Sequence, residues 1–140
     1  MAEHLFVDTT FFVARFNRRD RNHRAAAAFL ESLEQPGAPG YRLVTNDSIF
    51  DELVTTLLFR SGRHDLTAAA GKAVRDSKAI QMLHVDKPAI DEAWTLFLER
   101  PNKMWSFTDC ISFGQMEKLA IRTAVTFDRN FREAGYATLP

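Results

Sequence analysis

Cysteine is almost missing from this 140-residue chain. Cys110 stands alone, so no internal disulfide can form, and a lone thiol fits a reducing compartment. An excess of charge is missing too. Lys plus Arg number 18 and Asp plus Glu number 18, a net charge of zero, so the overall balance gives no sign of a nucleic-acid partner. Any such sign has to come from local clustering. No apolar run approaches the roughly 20 residues needed to cross a bilayer. The start, Met1-Ala2-Glu3-His4, has no basic leader, so no signal peptide and a cytoplasmic location are expected. Low-complexity tracts, internal repeats and long linkers are also absent. What is present, 46% apolar and 26% charged residues, is the composition of a soluble globular protein. A chain of this size can hide roughly two thirds of its unfolded surface without staples, and residues 1–140 read as one domain.

Short apolar runs alternate with helical periods. Residues 5–7 (Leu5-Phe6-Val7) read as a buried strand that ends at Asp8. Thr9-Thr10 then open a helix with Phe11, Phe12, Val13 and Phe16 apolar, and a second helix is expected over 22–35 with Ala26, Phe29, Leu30 and Leu33 inward. Pro36-Gly37-Ala38-Pro39-Gly40 breaks the chain. A strand over 41–45 leads to Asn46, Asp47 and Ser48, which offer N-cap oxygens. Ile49, Phe50, Leu53, Val54, Leu57 and Leu58 then keep the rhythm of an amphipathic helix, which Gly62 stops. Further helices are expected over 66–78, 87–100 and 108–120, and strands over 80–85, 123–127 and 136–139, with a short turn around Phe131. In the 87–100 helix, Ile90, Ala93, Trp94, Phe97 and Leu98 share the inward side, and Ser106 with Asp109 makes a capping box for the next helix. The order predicts an α/β fold: a three-layer α/β/α sandwich around a mostly parallel sheet.

Two of these strands run straight into an aspartate, Asp8 and Asp128, and ligands of parallel sheets bind beyond the carboxyl ends of the strands. Asp109 lies at a helix start and Glu52 on the amphipathic helix. Grouped carboxylates ionise together only against a compensating cation. An all-oxygen set suits Mg²⁺ or Mn²⁺, not Zn²⁺. Each acid also has a plain structural use. An Asp after a strand caps the next helix, Asp109 suits a helix dipole, and Glu52 flanks the apolar stripe no better than Asp51 does. Composition and period leave both uses open.

The motifs resemble a known family. Phe6-Val7-Asp8-Thr9-Thr10-Phe11-Phe12 looks like the opening motif of PIN-domain nucleases. Ser48-Ile49-Phe50-Asp51-Glu52-Leu53-Val54 resembles their second motif, with Glu52 at the glutamate position. Ser106-Phe107-Thr108-Asp109-Cys110-Ile111-Ser112-Phe113 resembles the third, with Asp109 as its acid. Thr126-Phe127-Asp128-Arg129-Asn130-Phe131, followed by Gly135-Tyr136, resembles the fourth. The order and spacing match from residue 5 to residue 136, and the likeness is strongest to VapC-type toxins. It implies a metal-dependent endoribonuclease, a homodimer, and inhibition by a cognate antitoxin. Asp8, Glu52, Asp109 and Asp128 would be the catalytic, Mg²⁺- or Mn²⁺-holding acids. Thr9, Ser106 and Thr108 would hydrogen-bond them or the scissile phosphate. The 49–78 helices would offer dimer contacts.

Arg15, Arg18, Arg19, Arg21 and Arg24 crowd the stretch after the first motif, and Arg129 and Arg132 flank Asp128. They either line an RNA path or form a solvated face. Trp105 suits core packing or base stacking, and Cys110 a buried small side chain. The four histidines have no metal-ligand spacing. A haloacid-dehalogenase-like phosphatase also begins with a strand and an Asp, but it carries a second Asp two residues on, where this chain has Thr10. A PIN fold that binds without cutting, and a housekeeping RNA-processing nuclease without antitoxin, are the other readings.

Overall fold

The computed structural model describes residues 3–140, and Met1 and Ala2 lie outside the described residues. Twelve elements follow one another: β1 (Glu3–Val7), α1 (Thr9–Phe16), α2 (His23–Leu33), β2 (Tyr41–Asn46), α3 (Asp47–Ser61), α4 (His64–Asp76), β3 (Ile80–Leu83), α5 (Lys87–Glu99), α6 (Phe107–Leu119), β4 (Thr123–Val125), α7 (Asn130–Glu133) and β5 (Ala137–Leu139). The strands form one sheet in the order β3-β2-β1-β4-β5, and every pairing is parallel.

This order has a functional consequence. From β1 the chain steps through β2 to β3 on one side, then returns to lay β4 and β5 on the other. Right-handed crossovers therefore send α1–α4 to one face and α5–α6 to the opposite face. The reversal lies between β1 and β4, the place where a parallel sheet opens a crevice at its carboxyl edge. Phe6 pairs with Ala124 and Val7 with Val125, so Asp8 and Thr126 leave neighbouring strands at one level.

The core explains why these runs become strands. Leu5, Phe6, Val7, Ala124 and Val125 are fully buried, as central strands covered on both faces must be. Ile49, Leu53 and Leu57 bury one stripe of α3. Asn46 caps that helix by accepting from Ile49 N at 2.8 Å, and Gly62 ends it at φ 64°, a left-handed turn that costs a glycine nothing. The Asn46 amide also donates to Ser112 Oγ (3.2 Å) and Gln115 Oε1 (2.9 Å) on α6. One buried side chain thus ties the start of α3 to the middle of α6.

Two expectations are corrected. The 87–100 helix does not bury its apolar side: Ala93 is buried, but Ile90, Trp94, Phe97 and Leu98 are exposed. Helix α5 packs on α6, and periodicity cannot say what covers a stripe. The 123–127 strand stops at Val125, because Phe127 N–H donates to the Thr10 hydroxyl (2.9 Å) instead of continuing the ladder. Trp105 is a core residue, set edge-on to Phe113 at 5.1 Å, and Cys110 is buried.

Candidate active site

Asp8 leaves the sheet at the end of β1. Its Oδ2 caps α1 by accepting from Thr10 N (3.4 Å) and takes the hydroxyls of Thr10 and Thr126, each at 2.8 Å. Each hydroxyl in turn accepts a backbone N–H from the end of β4: Phe127 N to Thr10 and Asp128 N to Thr126, both at 2.9 Å. A hydroxyl has one proton to give. Both protons go to Asp8, so the 3.1 Å approach of the two hydroxyls to each other is contact, not a further bond.

The seam continues. Asp128 Oδ1 accepts from Asn130 N (2.9 Å), and the Asn130 amide donates to Asp109 Oδ2 (3.0 Å). Asp109 Oδ2 also accepts from Ser106 N, while Ser106 Oγ accepts from Asp109 N, both at 3.0 Å, completing the expected capping box. Three acids from separate parts of the chain are thus joined by one hydroxyl pair and one amide. In each, one oxygen is held and the other takes no side-chain donor.

Glu52 stands across from this seam on the second turn of α3. It is half-buried and lines a cleft of about 450 Å³ with Thr9, Thr10, Arg21, Arg60 and Phe127, whereas its neighbour Asp51 is exposed. This separates two residues that the helical period alone could not.

The electrostatics of the site are unbalanced. Burial pushes the Asp8 carboxyl up to about 7; the Thr126 and Thr10 hydroxyls oppose that shift, and the charge of Asp109 adds to it. Burial raises Asp109 as well, against the pull of Asn130 and Ser106 N, with the charges of Asp128 and Glu52 adding to the rise. Among the described residues, none of the four acids forms an ion pair. Buried carboxylates that lack a cation and repel one another suit a hard divalent ion, and the donors are all oxygen. Among the described residues no three Asp, Glu, His or Cys side chains stand close enough to enclose an ion by themselves. Of the four acids Glu52 lines the cleft, and Asp109 links the rest by charge: it bears on Asp8, and Asp128 and Glu52 bear on it.

The remaining expected residues divide. Ser106 acts on Asp109 as described. Thr9 is buried with its hydroxyl unpartnered, and the Thr108 side chain makes no hydrogen bond among the described residues; neither reaches an acid. Arg18 and Arg19 line a second cleft. Arg15 lies instead on a separate apolar crevice, its guanidinium over the Phe16 ring. Arg129 is exposed and faces Glu133 at 3.8 Å. Sequence reasoning passed over Thr10, Thr126 and Asn130 as site residues, although all three stand inside the quoted motifs.

Comparison with known proteins gives four findings. The PIN domain family matches residues 5–136. The 23S rRNA-specific endonuclease VapC20 of Mycobacterium tuberculosis is 32% identical over 132 residues, 94% of this chain and 95% of that protein. The VapC ribonuclease of Aquifex aeolicus is 26% identical over 136 residues, 95% of this chain and 93% of that one. The crystal structure of the M. tuberculosis VapC20, described as a sarcin-ricin loop cleaving toxin, superposes with a TM-score of 0.84 at 30% identity and covers 95% of this chain and 96% of that one.

Proposed function

The chain belongs to the PIN domain family, and on that premise we propose that its acidic cleft cuts RNA as a metal-dependent endoribonuclease, the toxin of a toxin–antitoxin pair. The observation that carries the metal requirement is the pair of buried carboxylates, Asp8 and Asp109, with no cationic side chain to offset them. Asp8, Glu52 and Asp109 would hold Mg²⁺ or Mn²⁺, directly or through water, and Asp128 would complete the pocket. Such an ion supplies positive charge against the charge that builds on phosphate oxygens, and makes a water more acidic.

The chain's own residues do the positioning. Thr10 and Thr126 fix one oxygen of Asp8 and leave the other for the ion, and Asn130 does the same for Asp109. Burial lowers the local dielectric, so these carboxylates attract a dication more strongly than solvated ones do. In the reaction a water oxygen bonds to phosphorus, the P–O bond to ribose breaks, and the leaving oxygen takes a proton.

The test is cleavage by EDTA-treated protein before and after addition of Mg²⁺ or Mn²⁺. The named substrate of the M. tuberculosis relative makes a 23S rRNA hairpin the first probe. Cutting is expected only with metal; no cutting of the hairpin or of mixed RNA with either ion would overturn the reading. Residues 1–140 would act as one nuclease domain in the cytoplasm. A cognate antitoxin would relieve growth arrest caused by expression. A homodimer would bury apolar surface, for which exposed Ile90, Trp94, Phe97 and Leu98 of α5 are available besides the 49–78 helices. No helix of the described residues is long and apolar enough to cross a membrane.

A further inference from the structure

We infer that the turn between α1 and α2, together with the last turn of α3, forms a track for two successive backbone phosphates of single-stranded RNA. One phosphate would sit at Arg21 and Arg60, the next at Arg18 and Arg19. The inference rests on the nuclease reading for its choice of ligand.

Two clefts share these walls. The first, of about 450 Å³, begins at Glu52 and Thr10 and carries Arg21 and Arg60. The second, of about 470 Å³, carries Arg18, Arg19 and Arg63. Asp20, Arg21 and Arg60 line the first and Arg18, Arg19, Ser61 and Arg63 the second, so chain neighbours on both walls set the clefts side by side. Each has the volume of a small-ligand site, room for one unpaired nucleotide and not for a duplex.

Most of the positive charge along these walls is available, although Asp20 also lines the first cleft. Among the described residues, Arg18, Arg19 and Arg21 have no carboxylate within 4.0 Å. Arg60 meets Asp20 only at 3.9 Å, with Arg60 61% and Asp20 15% exposed. Arg63 is already engaged by Asp65 at 2.7 Å and is the weakest member. A chain of zero net charge has no general attraction for RNA, and the acids next door repel a phosphodiester. An approach to them needs cations placed beside them.

The turn itself is braced. Asn17 Oδ1 accepts from Arg19 N (3.1 Å), Asp20 Oδ1 from Asn22 N (2.8 Å), and His23 Nδ1 lies 2.7 Å from Ala14 O. The backbone is set while the guanidiniums stay free, so little order is lost on binding.

The experiment measures anisotropy of a labelled unstructured 12-nucleotide RNA with full-length Asp8→Asn protein in EDTA, from 50 to 200 mM salt. Each single-strand phosphate contact contributes about 0.7 to the slope of log K against log salt. The pair Arg21→Ala/Arg60→Ala should lower the slope by about 0.7, and so should Arg18→Ala/Arg19→Ala. All four together should lower it by about 1.4. Arg42→Ala and Arg122→Ala, exposed at the amino ends of β2 and β4, should leave it unchanged, and circular dichroism checks that each variant is folded. Equal losses from the control arginines would overturn the track, as would unchanged slopes in both pairs. Displacement of the RNA by a glutamate-rich peptide of equal charge at equal concentration would assign the clefts to a protein segment instead. Wild-type cleavage is scored separately: cutting with unchanged slopes refutes the track alone, and changed slopes without any cutting refute the nuclease reading alone.

Discussion

The candidate site has two sides built in opposite ways. On the β1–β4 side, Asp8, Thr10, Thr126, Asp128, Asn130 and Asp109 are linked by hydrogen bonds from 2.8 to 3.0 Å, and Asp8 and Asp109 are buried. On the α3 side, Glu52 makes no hydrogen bond among the described residues, and its neighbours Arg21 and Arg60 stand in solvent. The first side keeps its carboxyls out of water, and burial raises both Asp8 and Asp109. The second presents exposed side chains, of which Arg60 is held by no more than a 3.9 Å contact with Asp20. Buried, hydrogen-bonded acids and exposed, loosely held side chains are thus divided between the two walls.

The sharpest way to break this contrast is Asp8→Asn. The amide keeps an oxygen to accept both threonine hydroxyls, so the fold should survive, while cleavage should drop by about a thousandfold, roughly 4 kcal/mol of transition-state stabilisation. Full activity in initial-rate assays would show that the buried side is not catalytic.

Next is the pH dependence of metal-free stability. Asp8 titrates at about 7 folded, against 3.8 as its ordinary value, so the folded state holds the extra proton between those limits. The associated stability is fully present below pH 3.8 and is lost as pH rises through about 7, a loss of up to about 4 kcal/mol. Urea titrations across this range should reveal the decline, and Asp8→Asn should flatten it. A slope identical in both proteins would place the titrating group elsewhere.

Thr126→Val keeps the shape but strips Asp8 of a donor and Asp128 N of its acceptor. A loss of about 1–3 kcal/mol is expected by denaturant unfolding, since the orphaned groups are buried. An unchanged midpoint would mean the seam is slack. The smallest effect on folding should come from the other wall: Glu52→Gln should shift stability by no more than about 0.5 kcal/mol. It should nevertheless raise the Mn²⁺ concentration needed for half-maximal cleavage, whereas Asp51→Asn should leave that requirement alone.

Much of the fold could be read from the chain because its central strands are unbroken apolar runs and its helices carry their own punctuation. The Ser106–Asp109 box and the Gly62 stop both formed where local chemistry placed them. Helix α5 misled for a physical reason: Trp94 and Phe97 satisfy the helical period, yet stack on each other at 5.7 Å at the surface. The candidate site was read unevenly. Acids at strand ends and in quoted motifs can be picked out one by one. The hydroxyl pair that holds Asp8 joins positions 116 residues apart, and no spacing rule connects them before the sheet sets β1 against β4. Asn130 was hidden likewise, since its amide reaches back 21 residues to Asp109.

Asn46 has a wider bearing. Its carbonyl pins the start of α3 and its amide pins α6, both out of solvent, so the helices bearing Glu52 and Asp109 cannot separate without stranding polar atoms in the core. The relative placement of those acids is therefore written into core packing and is present before any ligand arrives.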